Sequence, residues 1–300
     1  MQSSNLLVSV IIPTYNRGFL IKDTIESVIK QSYKNYELII IDDASTDKTA
    51  DWISKNYPEF KLIRMQKNVG NAAARNMGIN ASKGEFIAFL DHDDQWLPNY
   101  LESQVKQLQF FPEAVLSYCN YFEVSQNNNK ILKNLKPLSA YDDFTYHLLM
   151  QNVIHSLSLT LLRKSTLLKA GLLNESLHIC NDLDLYLKLS VRGKILHIPE
   201  ALVLKNNHDN NLSRNYWLWS KEIIKVYDQF FEKNYAIPYL QFKNQVKCHE
   251  MVKLFKLVWP IYKDYKFALW TQFKALTFDP HYRFTLLSQR WKKQISKLSF

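Results

Sequence analysis

The 300 residues predict an α/β fold: a mostly parallel sheet covered by helices on both faces, followed by a helical C-terminal region. Three observations carry this. Short β-branched runs alternate three times with stretches of helical periodicity over the first hundred residues, which is the pattern of strand–helix–strand crossovers. The runs are apolar throughout rather than alternating, as strands buried on both faces are. From Tyr216 onward the apolar spacing is helical only.

Taken in order, Leu6 to Ile12 reads as a first buried strand ended by Pro13, with Pro13-Thr14-Tyr15-Asn16-Arg17 as the loop after it. Ile21, Ile25, Val28 and Ile29 then recur at helical spacing. Tyr36 to Ile41 is a second strand, delivering Asp42-Asp43. Ser45 or Thr46 is placed to cap a helix carrying Ala50, Ile53 and Tyr57 on one face. Leu62-Ile63 is a short third strand, and Asn68-Val69-Gly70-Asn71 opens a helix running through Met77. Phe86 to Leu90 is a fourth strand, and Pro98 suits the first turn of the helix with Leu101, Val105 and Leu108 inward. Further on, Gln126 to Asn129 reads as a hairpin turn between Tyr121–Val124 and Ile131-Leu132. Leu157 to Leu162, Ile195 to Ile198 and Leu202 to Leu204 are strand candidates. Asn181 to Arg192 is a helix with Asp182 and Asp184 in its first turn, where the macrodipole favours carboxylates.

The fourth strand ends in Asp91-His92-Asp93-Asp94. Ionised carboxylates packed this densely are too costly to bury unpaired. Hard oxygen ligands of this kind suit Mg²⁺ or Mn²⁺. An Asp-rich turn can also be a solvated loop, and the tetrapeptide alone does not separate the two readings. The position of the other loops does: Thr14 to Arg17, Asp42-Asp43 and Asp91 to Asp94 all follow predicted parallel strands, and ligands of open α/β sheets sit beyond such strand ends.

Composition bounds the rest. Hydrophobic residues make up 47% and charged residues 22%, an ordinary globular balance, and only 6 glycines argue against repeat architectures. The three cysteines, Cys119, Cys180 and Cys248, show no metal-like spacing and read as reduced thiols of a cytosolic protein. Met1 to Asn5 lacks a signal-peptide pattern, and no apolar run reaches the roughly 20 residues of a membrane span. The net charge is +10, and residues 215–300 hold 15 Lys or Arg against 6 Asp or Glu, so nearly all of the excess lies there. In that segment Trp, Tyr and Phe interleave with Lys, and Pro260 and Pro280 are expected to break it into pieces. Packing as a lid or acceptor platform, lying on an anionic membrane surface, and homodimerisation all fit. The basic residues lie away from the acidic loops and no nucleic-acid motif is present, so nucleic acid is not an expected partner.

Four blocks together resemble family 2 glycosyltransferases, in family order and spacing: Val10 to Arg17, Ile41 to Asp47, Asn68-Val69-Gly70 with Ala74-Arg75-Asn76, and Leu90 to Asp94 with Pro98. The resemblance covers residues 6 to 214. It implies a Rossmann-like nucleotide-sugar fold of the A type and inverting, metal-dependent transfer from a UDP-sugar or similar donor to a glycan or lipid-linked acceptor, in polysaccharide assembly at the cell envelope. It divides the chain into a catalytic domain over 1–214, with a nucleotide-sugar half to about 118 and an acceptor half from 119, and the basic region 215–300. The cysteine usage and the basic aromatic segment 215–300 give the expectation of a cytoplasmic protein, with peripheral attachment to the inner face of the membrane as a further expectation.

The site residues follow from the same resemblance. Pro13, Thr14, Tyr15, Arg17, Asp42, Asp43, Asn68, Gly70 and Arg75 would line the nucleotide, with His92 beside them at a variable position and no metal role. Asp91 and Asp93 match the Asp-x-Asp motif that holds Mn²⁺ or Mg²⁺, Asp93 the more direct ligand. Cys180-Asn181-Asp182-Leu183-Asp184-Leu185-Tyr186 resembles the block supplying the catalytic base, aligning Asp182 with it, although Asn181 and Tyr186 stand where Glu and Trp are usual. His208, with Asn211 and Ser213, resembles a late block whose His approaches the metal, and Lys205 stands where Arg is common. A non-catalytic nucleotide-sugar-binding protein would keep Asp43 and Asp93 yet have no need of Asp182.

Overall fold

In a computed structural model of the chain, residues 6–125, 127–135, 143–206 and 215–286 are described. They fall into two compact units, one of residues 1–145 with 152–211, the other of 146–151 with 212–300.

The first unit opens with β1 (Val8–Thr14), α1 (Lys22–Ile29), β2 (Tyr36–Asp42), α2 (Thr49–Asn56), β3 (Lys61–Arg64), α3 (Asn71–Ala81) and β4 (Phe86–Phe89). β1 pairs in parallel with β2 and with β4, and β2 with β3, so the three crossovers form one parallel half-sheet. β5 (Gln95–Trp96), α4 (Tyr100–Phe110), β6 (Ala114–Val124), β7 (Lys130–Lys133), α5 (Phe144–Met150, of which Tyr146 onward belongs to the second unit), β8 (Thr160–Arg163), α6 (Lys164–Ala170), α7 (Asn181–Ser190) and β9 (Lys194–Asn206) follow. The sheet order is β3-β2-β1-β4-β8-β6-β9-β5, with β7 on β6, and the antiparallel pairs β4–β8 and β6–β8 join the halves. The result is the mixed, mostly parallel sheet flanked by helices that the sequence predicts. Its core is the strand interior, with Val10, Ile11, Ile12, Ile39, Ile40, Phe86 and Phe89 without solvent contact. All three cysteines are buried thiols.

Several boundaries differ from the sequence expectation. β1 runs through Pro13 to Thr14 instead of ending at the proline. Pro13 faces the β4 side, where pairing stops at Ile11 opposite Phe89, so its missing N–H leaves no ladder bond unmade. α2 starts at Thr49 without a side-chain cap from Ser45 or Thr46; Ser45 and Thr46 bond the Asn16 loop instead. α4 begins at Tyr100, two residues after Pro98, and α3 extends four residues past Met77. Leu157–Leu159 is a 3-10 turn and only Thr160 onward is strand. The expected strands around Ile195 and Leu202 are one strand. Its register against β6 jumps from Cys119–Ile198 to Asn120–Ala201, looping out Pro199 and Glu200. Asn120 Nδ2 donates to Pro199 O at 2.7 Å, which fixes the bulge around a residue that cannot donate.

In the second unit, α8 (Tyr216–Phe231), a 3-10 helix (Asn234–Phe242), α9 (Lys243–Tyr262) and α10 (Tyr265–Phe278) are helical as expected. Pro260 does not break α9, because it sits in the last turn, where one lost bond is tolerable; the helix stops at Lys263, with φ +51°. Pro280 does part the segment as expected: α10 ends at Phe278, and Pro280 opens the helical stretch 280–286, which Asp279 Oδ1 caps by accepting from Tyr282 N at 2.8 Å.

Candidate active site

The loops at the carboxyl ends of β1, β2 and β4 are tied together by their own polar groups. Thr14 O accepts from Asp43 N at 2.9 Å. Asn16, at φ +50°, accepts from Thr46 N at 2.8 Å, and its own N–H donates to Ser45 Oγ at 2.9 Å. Thr49 Oγ1 accepts from the amides of Arg17 and Gly18 at 2.9 and 2.6 Å. Both oxygens of the Asp43 carboxylate are used: Oδ1 accepts from Val69 N and Oδ2 from Gly70 N, each at 2.8 Å. Asn68 Nδ2 reaches Asp43 O at 3.2 Å. Gly70 has φ +87°, a conformation that suits glycine, and it turns the chain into α3. Asp43 thus anchors the entry of α3.

α3 lies so close on β1 that a Cβ at Gly78 would run into the Ile11 side chain. That seating buries Arg75, three residues earlier, whose side chain is 7% exposed. Its Nη2 donates to Asp91 Oδ1 at 2.6 Å and its Nη1 to Asn181 Oδ1 at 3.2 Å. One guanidinium therefore joins α3, the end of β4 and the first residue of α7. Asp182 follows Asn181, and its Oδ1 accepts from Leu183 N at 2.7 Å.

The acidic turn is held by residues far along the chain. Asp91 N donates to Ser158 Oγ at 3.0 Å, and Ser156 Oγ lies 3.4 Å from Asp91 Oδ2. Thr24 Oγ1 donates toward the carbonyls of His92 and Asp94 at 3.0 and 2.9 Å. Asn206 N donates to Asp94 Oδ1 at 3.1 Å, Asn206 Nδ2 bonds Asp93 O, and Lys205 Nζ stands 3.9 Å from Asp94 Oδ2. His92 Nδ1 is 3.1 Å from Pro13 O.

Electrostatics separates the carboxyls. Burial pushes Asp91 up, but Arg75 and then Lys205 outweigh it, and the group ends below its ordinary value. Burial lifts Asp94, against the pull of Lys205, and Asp94 in turn holds Lys205 above the usual lysine range. Burial depresses the His92 imidazole. Burial also raises Asp182 to about 6, with Leu183 N–H, Arg75 and Lys205 opposing and Asp91 adding to it.

Buried polar atoms without hydrogen-bond partners gather here. Of ten such side-chain atoms among the described residues, six are Thr14 Oγ1, Arg17 Nε, Asp42 Oδ1, Arg75 Nε, His92 Nε2 and Asp94 Oδ2. Thr14 and Asp42 are register partners on β1 and β2. Natural proteins leave few such groups, and a concentration of them at one set of strand ends marks a place built to meet a polar ligand. Pro13 is buried in β1, and Tyr15 at its end is 41% exposed.

Of the residues singled out from sequence, Arg75 bonds Asp91 directly and reaches the neighbourhood of Asp182 through Asn181, and Asp43, Asn68 and Gly70 form the mouth of α3. His208, Asn211 and Ser213 lie outside the described residues. Ser156, Ser158, Thr24 and Asn206 were not legible in advance, since isolated Ser, Thr and Asn carry no spacing signal. Asn181 was legible only as a departure from a motif.

Residues 9–169 match glycosyl transferase family 2. The chain belongs to this family. An uncharacterized glycosyltransferase of Rickettsia typhi is 34% identical over 235 residues, covering 74% of this chain and 73% of the relative. TuaG of Bacillus subtilis, whose name assigns it to teichuronic acid biosynthesis, is 32% identical over 229 residues, 74% of this chain and 87% of TuaG. Among solved structures, S. aureus TarS in complex with UDP-GlcNAc superposes with TM-score 0.67 at 17% identity, over 91% of this chain and 80% of that one. The Pyrobaculum calidifontis mannosyltransferase PcManGT with GDP-Man and Mn²⁺ gives 0.60 at 17% identity, over 95% and 84%. At such identities the likeness is one of fold, and the fold of this glycosyltransferase is that of the A-type enzymes.

Among the described residues, no three His, Cys, Asp or Glu side chains gather to hold a metal ion by themselves, and no helix is long and apolar enough to cross a membrane.

Proposed function

We propose that residues 1–214 transfer a sugar from a nucleoside-diphosphate sugar, a UDP-sugar in the first instance, to a hydroxyl of a glycan or lipid-linked acceptor in polysaccharide assembly, inverting the anomeric configuration. Residues 1–118 would take the donor and 119–214 the acceptor. The supporting observation is the Arg75 bridge: it ties Asn181, the residue before Asp182 on α7, to Asp91 at the end of β4.

In this reading Asp182 accepts the proton of the attacking hydroxyl. Burial makes it a stronger base than a solvated carboxylate, which suits that work near neutral pH. The acceptor oxygen bonds to the anomeric carbon as the bond from that carbon to the diphosphate oxygen breaks on the opposite face. The electron pair leaves on the nucleoside diphosphate, and a single displacement of this kind inverts. Thr14 Oγ1 and Asp42 Oδ1, both buried without partners, would meet polar groups of the nucleotide.

The donor set fits a divalent cation. Asp91 and Asp93 offer hard oxygens, and Mg²⁺ or Mn²⁺ at nucleotide sites commonly takes only one or two carboxylates, completing its shell with phosphate oxygens and water. PcManGT carries Mn²⁺ alongside its GDP-Man. Such an ion would neutralise charge building on the departing diphosphate. Asp93→Ala is expected to weaken Mn²⁺-dependent binding of the donor by about tenfold or more in calorimetry; unchanged affinity would remove Asp93 from the metal site.

The charges facing Asp182 are Arg75 from α3, Asp91 from the β4 end and Lys205 from β9. Only the ionised carboxylate can accept a proton, so kcat/KM should rise with pH through a single ionisation centred at about 6 and level above it. A profile flat from pH 5 to 8 would exclude Asp182 as base. Product anomeric configuration, read by NMR, tests inversion directly.

A further inference from the structure

α10 departs from what a surface helix should be. Phe267, Ala268, Thr271 and Ala275 form its buried side. Yet Tyr265, Leu269, Phe273 and Leu276, spaced by four, four and three residues and so on one face, stand open, with Leu269 73% and Phe273 64% exposed. On the last turns of α9, Leu257 and Ile261 are exposed in the same manner, one turn apart. A helix apolar all round is normally covered on every side, and an open apolar face of this length marks a place where something docks.

Charge decides what docks. Lys263 and Lys266, next in sequence to Tyr262 and Tyr265, are exposed. Most acids of the same unit are spent internally: Asp228 pairs with Lys247, Glu250 with Lys253 at 3.2 Å, and Asp264 and Asp279 cap helices. Over residues 215–300 the balance is 15 cations to 6 anions. A second copy meeting this face through a two-fold axis would set like charges against each other. An anionic bilayer surface presents the opposite charge to the lysines and an apolar layer to the leucines and aromatics. α10 has 14 residues, about 21 Å of helix, too short to span a bilayer, so only its open face can meet one. Trp259, Tyr262 and Tyr265 pair an apolar ring with a polar tip, as residues at that level do.

We propose that the open face of α10, with the last turns of α9, docks on an anionic lipid bilayer. The test is co-sedimentation of the full chain with vesicles of phosphatidylcholine alone or with about 30 mol% phosphatidylglycerol, at about 0.1 and 0.5 M NaCl. The expected partition coefficient is about tenfold or more higher with phosphatidylglycerol and falls steeply at high salt. Lys263→Gln with Lys266→Gln, both exposed and expected to fold normally, should lose about 10- to 30-fold. Leu269→Ser with Phe273→Ser should lose as much while donor affinity in solution stays unchanged. Equal partition on neutral and anionic vesicles, or none on either, would overturn the proposal. So would a dimer in sedimentation velocity that the Leu269/Phe273 variant dissociates. Sedimentation needs no turnover, so this result and the fate of Asp182 as base are separable.

Discussion

Asp182→Asn is expected to lower kcat by about 10²- to 10⁴-fold, the usual worth of a positioned general base, with donor affinity nearly unchanged. Asparagine is close in shape, and its Oδ1 can keep the bond from Leu183 N, so the loss is of proton acceptance alone. The same variant should be more stable above neutrality. The folded-state carboxyl is raised from 3.8 to about 6. Its favourable contribution is therefore whole below about pH 4 and is lost as pH rises through about 6. Above that the half-buried charge weighs against the fold by about 2–3 kcal/mol. Asparagine removes this burden, so scanning calorimetry at pH 8 should show the first unit melting several degrees higher, and at pH 4 hardly shifted. An inactive variant that is also less stable at pH 8 would point to a structural role for Asp182. Full turnover would refute its assignment as base.

Arg75→Ala should damage both fold and catalysis. The guanidinium is buried and bonds Asp91 and Asn181 together. Removing it leaves the Asp91 carboxylate, only 27% exposed, without its hydrogen-bonded cation, at an expected cost of about 3 kcal/mol. It also frees the start of α7 from the end of β4, so kcat should fall more than donor affinity. Arg75→Lys restores a charge near Asp91, but one ammonium lacks the flat two-sided fork needed to serve Asn181 as well. It should recover most of the stability, read by calorimetry, and little of kcat. If lysine restored both together, the bridge would matter only as a charge, and its role in positioning Asp182 would fall.

The parts of the molecule that sequence alone determined are those whose cause is local. Runs such as Val10-Ile11-Ile12 and Leu38-Ile39-Ile40 are strands because β-branched and aliphatic residues in unbroken sequence need burial on both faces. The loops carrying Asp42, Asp43 and Asp91 follow them at one rim because crossovers are right-handed and parallel. Four ordered blocks were enough to point to the family. What only the tertiary structure decided depends on partners distant along the chain. Whether Arg75 is a surface cation or a buried bridge is settled by Asn181, 106 positions later. Ser158 and Asn206 hold the acidic turn, yet nothing around either residue announces it. Pro13 stays in β1 because β4 happens to stop opposite Ile11, and Pro199 stays in β9 because Asn120 accommodates a bulge. α10 shows helical spacing in sequence on every side, and only its packing tells which apolar face is covered and which is open. Propensity and periodicity act over a few residues, whereas the pairing of a buried charge or the neighbour of an apolar face is chosen by which distant segment the fold brings there.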